Sequence, residues 1–154
     1  MINIVTGKVN SGKTRFLREL YEREKHGDGV VSVKYFEKGI HRGYDLRHLK
    51  SGEERPFIRL REDIRENGAV WGKYVFFPEA FDVAERILKN KGPGPAFIDE
   101  IGPLEVLRGQ GFNSLLPDLF RREKEIWLSV REALLETFRG ILPEHETVHI
   151  IRIP

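Results

Sequence analysis

The sequence predicts an α/β fold in which a mostly parallel sheet carries helices on both faces and an antiparallel hairpin extension is inserted. Three observations predict it. Short apolar runs rich in β-branched residues alternate with segments whose apolar residues recur at helical spacing. Near the amino terminus, "TGKVNSGKT" spaces Gly7, Gly12, Lys13 and Thr14 as G-x-x-x-x-G-K-[ST], the pattern of a phosphate-binding loop between a strand and a helix. From about residue 37 to 77 the helical spacing disappears, and short, partly alternating runs are separated by Gly, Pro and charges.

Taken in order, "INIVT" is a short apolar run suited to a buried parallel strand. After the loop, Phe16, Leu17, Leu20 and Tyr21 fall at helical spacing, and Gly27 and Gly29 are the expected stop. "GVVSVKYF" (29–36) reads as a second strand. "GIHRGYDLRHL", "PFIRL" and "AVWGKYVFF" then read as hairpin strands inserted before the next helix. That helix is "PEAFDVAERILKN", with Pro78 in its first turn and Ala80, Ala84, Ile87 and Leu88 along one face. "KGPGP" (91–95) ends it. A strand at "AFIDE" (96–100), a loop, and a helix around 112–123 follow. "EIWLSV" (125–130) is a buried-type strand, "REALLETF" a short helix and "TVHIIRI" the last strand. There is no repeat, low-complexity segment or linker, so residues 1–154 read as a single domain.

A domain of 154 residues is large enough to bury about 68–70% of its unfolded surface. It is 40% hydrophobic and 32% charged, without a run of transmembrane length or a secretory signal. These features predict a cytoplasmic address and no membrane partner. The absence of cysteine excludes a disulfide framework, a thiolate zinc site and a cysteine nucleophile. The net charge of +2 is spread over segments of alternating sign, which argues against a nucleic-acid partner. The five histidines lack metal-ligand spacing, and His41 and His48 read as surface residues of the hairpin region.

The candidate phosphate-binding set is Gly7, Lys8, Val9, Asn10, Ser11 and Gly12, with Lys13, Thr14 and Arg15 at the helix start. Backbone N–H groups of such a loop turn inward around phosphate, the Lys reaches the β/γ-phosphates, and the hydroxyl ligates Mg²⁺. Open α/β sheets bind ligands at the carboxyl ends of their strands. Asp99 stands at such an end and is the expected metal-side carboxylate, beside Thr14. Glu100 follows it, placed to accept a proton from an attacking water or to orient that water. Arg131, after "IWLSV", would neutralise charge developing on the γ-phosphate. Tyr44, Trp71 and Phe76 are either core residues or surfaces on which a base stacks.

"VTGKVNSGKTRFL", "GIHRGYDL" and above all "IDEIGPLEVL" resemble the small nucleoside-triphosphatase family of thermophilic bacteria and archaea, of which cancer-related nucleoside-triphosphatase is a vertebrate member. The resemblance runs over nearly the whole chain. Its most specific part is Asp99-Glu100-Ile101-Gly102 with Glu105, where the family has D-E-I-G-x-x-E. It implies a three-layer P-loop fold of the type with a catalytic glutamate and an additional central strand. It also implies slow, Mg²⁺-dependent hydrolysis of ATP, GTP and other nucleotides, broad in base. Glu105 is then expected just past the strand, in a loop facing the site, organising the catalytic glutamate or a nearby arginine. This chain has Val9-Asn10 where the family has Pro-Gly, and Asn10 is expected to supply the unusual φ that closes the loop. The family's G-x-R-x-G-F reads Gly39-Ile40-His41-Arg42-Gly43-Tyr44, with the arginine one place late. The chain stops directly after its last predicted strand, which makes it compact for the family.

Two other activities compete with hydrolysis on these residues. A nucleotide or small-metabolite kinase would use the same loop, with Arg42, Arg47, Arg55, Arg59 and Arg61 of the hairpin segment near an acceptor. A nucleotide-controlled binding switch would turn over only incidentally. "NKGP" at 90–93 lacks the Asp of N-K-x-D, and "LRGQG" does not match a transporter signature, which lowers the second reading. A monomer or weak oligomer is expected.

Overall fold

The structure, a computed structural model, describes residues 1–65, 67–90, 92–122 and 125–154. Among the described residues, nine strands form one sheet in the order β5-β6-β4-β3-β2-β7-β8-β1-β9. The strands are β1 (Ile2–Gly7), β2 (Asp28–Glu37), β3 (Ile40–His48), β4 (Glu54–Leu60), β5 (Ala69–Trp71), β6 (Tyr74–Phe76), β7 (Ala96–Ile101), β8 (Ile126–Arg131) and β9 (Val148–Arg152). β2, β7, β8, β1 and β9 pair in parallel. β3, β4, β6 and β5 continue the sheet from β2 in antiparallel pairing, as the hairpin pattern predicts. β8 lies between β1 and β7, the additional strand between the glycine-loop strand and the carboxylate strand.

Alternate residues along β1 point to opposite faces and belong to two cores. Val5 joins Leu17, Leu20 and Tyr21 of α1 (Lys13–Glu24), together with Val31 and Phe97. Ile2 and Ile4 face the other core, with residues of α2 (Pro78–Lys89), α4 (Leu116–Arg121) and α5 (Leu135–Arg139). Leu17 is wholly buried, and truncating a core leucine to Ala costs about 2–5 kcal/mol. α2 starts on Pro78 and buries Ala80, Ala84 and Leu88, as its spacing predicts. On this second face Phe57 packs against Phe81 at 5.2 Å, and Phe81 against Phe112 at 4.9 Å. These edge-to-face contacts tie β4 and α2 to the turn after α3 (Pro103–Arg108) and so fix the neighbourhood of the site.

Several boundaries depart from the sequence reading. α1 ends at Glu24, ahead of Gly27, because Lys25 takes the left-handed conformation (φ 48°) and its N–H donates to Tyr21 O. The stretch expected as a loop after β7 holds α3, a helix of six residues whose apolar face is too short to give a period. The helix expected at 112–123 is a 3₁₀ turn (Gly111–Ser114) followed by α4, and residue 123 lies outside the described residues. The segment "REALLETF" divides into the end of β8, a 3₁₀ turn and α5. His48 is not a free surface residue. Its Nε2 meets Asp28 Oδ2 at 2.7 Å and its Nδ1 meets Ser51 Oγ at 2.8 Å, which clamps the turn after β3 to the start of β2. Among the described residues no helix is long and apolar enough to cross a membrane.

Candidate active site

β1 delivers the chain to Gly7, where an added Cβ would lie 2.5 Å from Ser11 Oγ and 2.9 Å from the Ile153 carbonyl oxygen. Only glycine lets the loop double back this closely over the end of β9. Asn10 (φ 61°) and Gly12 (φ 103°) are left-handed, the backbone pattern in which successive N–H groups can converge on an anion. Asn10 thus adopts the positive φ expected of it. Lys13 opens α1, and its buried ammonium spans the loop, donating to Lys8 O at 2.6 Å and Gly7 O at 3.3 Å. Burial lowers its pKa, while the carboxylates of Glu100 and Asp99 oppose that shift.

The next residue, Thr14, donates from Oγ1 to Asp99 Oδ2 at 2.5 Å. Asp99 is 1% exposed. It also accepts from Ser32 N at 3.0 Å and from the Ser129 hydroxyl. Burial drives its pKa up and these hydrogen bonds push it down. Ser129 Oγ in turn accepts from Glu100 N at 2.7 Å. The β7–β8 register shifts between Ile98 and Ile101, and Glu100 sits inside that bulge with φ 63°. A bulge re-aims a side chain that regular pleating would send elsewhere, and a left-handed non-glycine residue is a local strain of the kind found at functional sites. Glu100 is thereby turned into a cavity of about 360 Å³ over the glycine loop.

Residues 9–15 line that cavity together with Glu100 and Arg131, so most of the predicted set comes together. Gly7 and Lys8 do not line the cavity but accept from Lys13 through their carbonyls, and Asp99 is reached through Thr14. Burial, reinforced by Asp99, raises the Glu100 carboxyl to about 7, against the pull of Arg131 and Lys13. The loop position expected for Glu105 is corrected. It is the third residue of α3 and is buried, and its two oxygens accept from Gly102 N and Phe112 N, each at 3.0 Å. Glu105 therefore holds the backbone on both sides of α3 rather than bonding an arginine. The arginines expected near an acceptor are largely engaged within the hairpins. Arg42 pairs with Glu62, Arg47 with Glu54, and Arg59 with Asp45.

The sequence reading did not single out Ser32, Ser129, Arg18 or Lys34, all of which bear on the cavity or its carboxylate. Ser32 and Ser129 were detectable as lone hydroxyl residues inside apolar strands, but only strand order brings them to Asp99. The oxygen set suits Mg²⁺. A hydroxyl and a fully buried carboxylate are hard donors, and two protein ligands leave room for phosphate and water oxygens. A divalent cation would also offset the cost of burying the Asp99 charge.

The family model described as NTPase matches residues 3–153. Nucleoside-triphosphatase THEP1 of Pyrobaculum calidifontis is 32% identical over 104 residues, covering 66% of this chain and 57% of that protein. The protein of the same name from Thermococcus kodakarensis is 27% identical over 148 residues, covering 92% of this chain and 82% of the relative. This chain thus spans less than two thirds of the first relative's length. Among solved structures, a human cancer-related nucleoside triphosphatase superposes with a TM-score of 0.76 at 24% identity, covering 98% of this chain and 87% of that one. THEP1 from Aquifex aeolicus gives 0.72 at 22% identity, covering 99% and 90%. Both structures share the fold described above. Because the family model matches nearly the whole of this chain, the chain belongs to this NTPase family.

Proposed function

We propose that the protein hydrolyses nucleoside 5′-triphosphates to the diphosphate and phosphate, with Mg²⁺ as cofactor and little selection among ATP, GTP and other bases. The observation that carries this reading is the convergence of Thr14, Asp99 and Glu100 at the mouth of a closed glycine loop. Thr14 Oγ1 and Asp99 would hold Mg²⁺, which when bound supplies charge neutralisation on the phosphate oxygens. Lys13 and the loop backbone bind and orient the phosphates. Lys13 has only to exchange its bonds to Gly7 O and Lys8 O for bonds to phosphate oxygens. Glu100 orients a water and takes its proton, and its raised pKa favours proton acceptance near neutral pH. Arg131, at the carboxyl end of the neighbouring parallel strand β8, stabilises charge on the transferring group. Glu105 keeps the segment after Glu100 in place.

Broad base use is supported by the outer cavity wall, where Arg15, Arg18 and Lys34 stand. Long cationic side chains attract phosphate and can lie over any ring. They do not present a fixed donor–acceptor pattern to one base edge.

Phosphate release from a panel of nucleoside triphosphates, with and without Mg²⁺, tests the reading. Lys13→Ala should cut turnover by roughly 10²–10³-fold, the loss typical of one electrostatic contact to the transition state. Its melting temperature should stay close to that of the parent. A folded Lys13→Ala protein with parental turnover overturns the assignment.

A further inference from the structure

A second cavity, of about 330 Å³, opens on the other side of Glu100, between the antiparallel extension and the start of α3. Val9, Tyr44, Glu100 and Arg131 line both cavities, so the two meet at the side chains assigned to phosphoryl chemistry. Beyond this junction the lining includes four rings, Phe57, Trp71, Tyr74 and Phe76, with Lys73 and Glu105 as its further charged residues. A water in liquid takes about 30 Å³, so the space is on the order of ten times what an attacking water needs. Water attack gives no reason for a ring-lined chamber at that place.

Arg108 ties the Trp71 side of this cavity to α3. The Arg108 guanidinium stands 4.9 Å over the Trp71 ring, and its Nη1 donates to Val70 O at 3.0 Å. Together these contacts pin the β5–β6 hairpin to the end of α3. Glu100 and Arg131 lie where the two cavities meet, and rings predominate over the charged Lys73 and Glu105 in the rest of the lining, an arrangement that suits a ligand with an apolar body and a polar tip.

We propose that this cavity is an acceptor site for a small alcohol that carries a planar heterocyclic ring, whose hydroxyl reaches the γ-phosphate beside Glu100. The protein then transfers the phosphoryl group to that alcohol as well as to water. This rests on the triphosphate reading given above. In the step, the acceptor oxygen forms a bond to the γ-phosphorus and the bond from phosphorus to the β,γ-bridging oxygen breaks. The nucleoside diphosphate leaves with that electron pair, and the hydroxyl proton passes to the Glu100 carboxylate. A nucleoside and a hydroxymethyl-substituted heterocycle share this chemistry.

The test incubates the full chain with Mg²⁺ and ATP labelled on the γ-phosphate, adding adenosine, thymidine or pyridoxine, with ethanol as the non-aromatic control. The readout is the ratio of label in the phosphate ester to label in free phosphate. At least one ring alcohol should exceed ethanol by tenfold or more at equal concentration, a factor of the size a filled apolar pocket confers. In Trp71→Ala and Tyr74→Ala, both checked for folding by thermal melting, that ratio should fall by about the same factor. Phosphate release without any labelled ester overturns the acceptor site and leaves hydrolysis standing. An ester ratio unchanged in the folded variants also overturns it. Should neither variant fold, the ratio of ring alcohol to ethanol in the parent protein decides. Transfer without release in the absence of acceptor supports the site and removes the hydrolase reading, and the absence of both removes both.

Discussion

The Thr14 hydroxyl donates to Asp99 Oδ2 across 2.5 Å, a bond that joins residues 85 positions apart. It fastens the first turn of α1 to the end of β7, and its two partners are the oxygens that suit Mg²⁺. Asp99→Asn replaces one carboxylate oxygen with an amide nitrogen among three donors, Thr14, Ser32 N–H and Ser129. The Mg²⁺ concentration for half-maximal turnover should rise by at least the roughly 10–100-fold that loss of a metal site's supporting partner costs. A superimposable Mg²⁺ titration would place the metal carboxylate elsewhere.

Glu100→Gln keeps the shape of the side chain in the bulge and removes its basic oxygen. Nucleotide and Mg²⁺ should bind about as in the parent, while single-turnover hydrolysis falls by roughly 10²–10⁴-fold, the contribution of a general base. Equilibrium binding and quenched single turnovers on one preparation check both halves. Parental hydrolysis in the Gln variant rules out water activation by Glu100.

Glu105 gives a pH signature in stability. Burial raises its pKa from 4.5 to about 7, against the pull of the Gly102 and Phe112 N–H bonds. The folded protein therefore holds the proton more tightly than the unfolded chain. The stabilisation from this group is complete below the unfolded value and is lost as pH rises through about 7. Between pH 5 and 8 the parent should lose on the order of 1–3 kcal/mol that Glu105→Gln does not lose. Denaturant midpoints of both proteins across that range measure the difference, and parallel curves refute it.

Gly111 tests the same carboxylate from the outside. A Cβ at this position would sit 1.8 Å from Glu105 Oε2, and the residue has φ +62°. Gly111→Ala should destabilise the fold by more than the roughly 1–3 kcal/mol of left-handed strain alone, because Glu105 must also move. Urea unfolding reads the loss. A change below 1 kcal/mol would mean that the turn after α3 yields freely.

The sequence by itself determined the glycine loop, the strand and helix around it, and the Asp99-Glu100 pair, because each depends on residues adjacent in the chain. Spacing of Gly7, Gly12 and Lys13 dictates a loop, and apolar periodicity dictates what flanks it. It also located the hairpin extension, whose alternation and breakers are local. Only the tertiary structure decided what surrounds the carboxylates. Ser32 and Ser129 reach Asp99 because β2 and β8 flank β7, and strand order is a long-range choice that no local pattern encodes. The left-handed turn of Glu100 follows from a register shift between two strands. α3 escaped the period because six residues are fewer than two helical turns. The ring-lined cavity exists because β3, β4, β6 and β5 pair side by side next to α3, which places Tyr44, Trp71 and Tyr74 around one space although each, in sequence, is an aromatic residue in a strand.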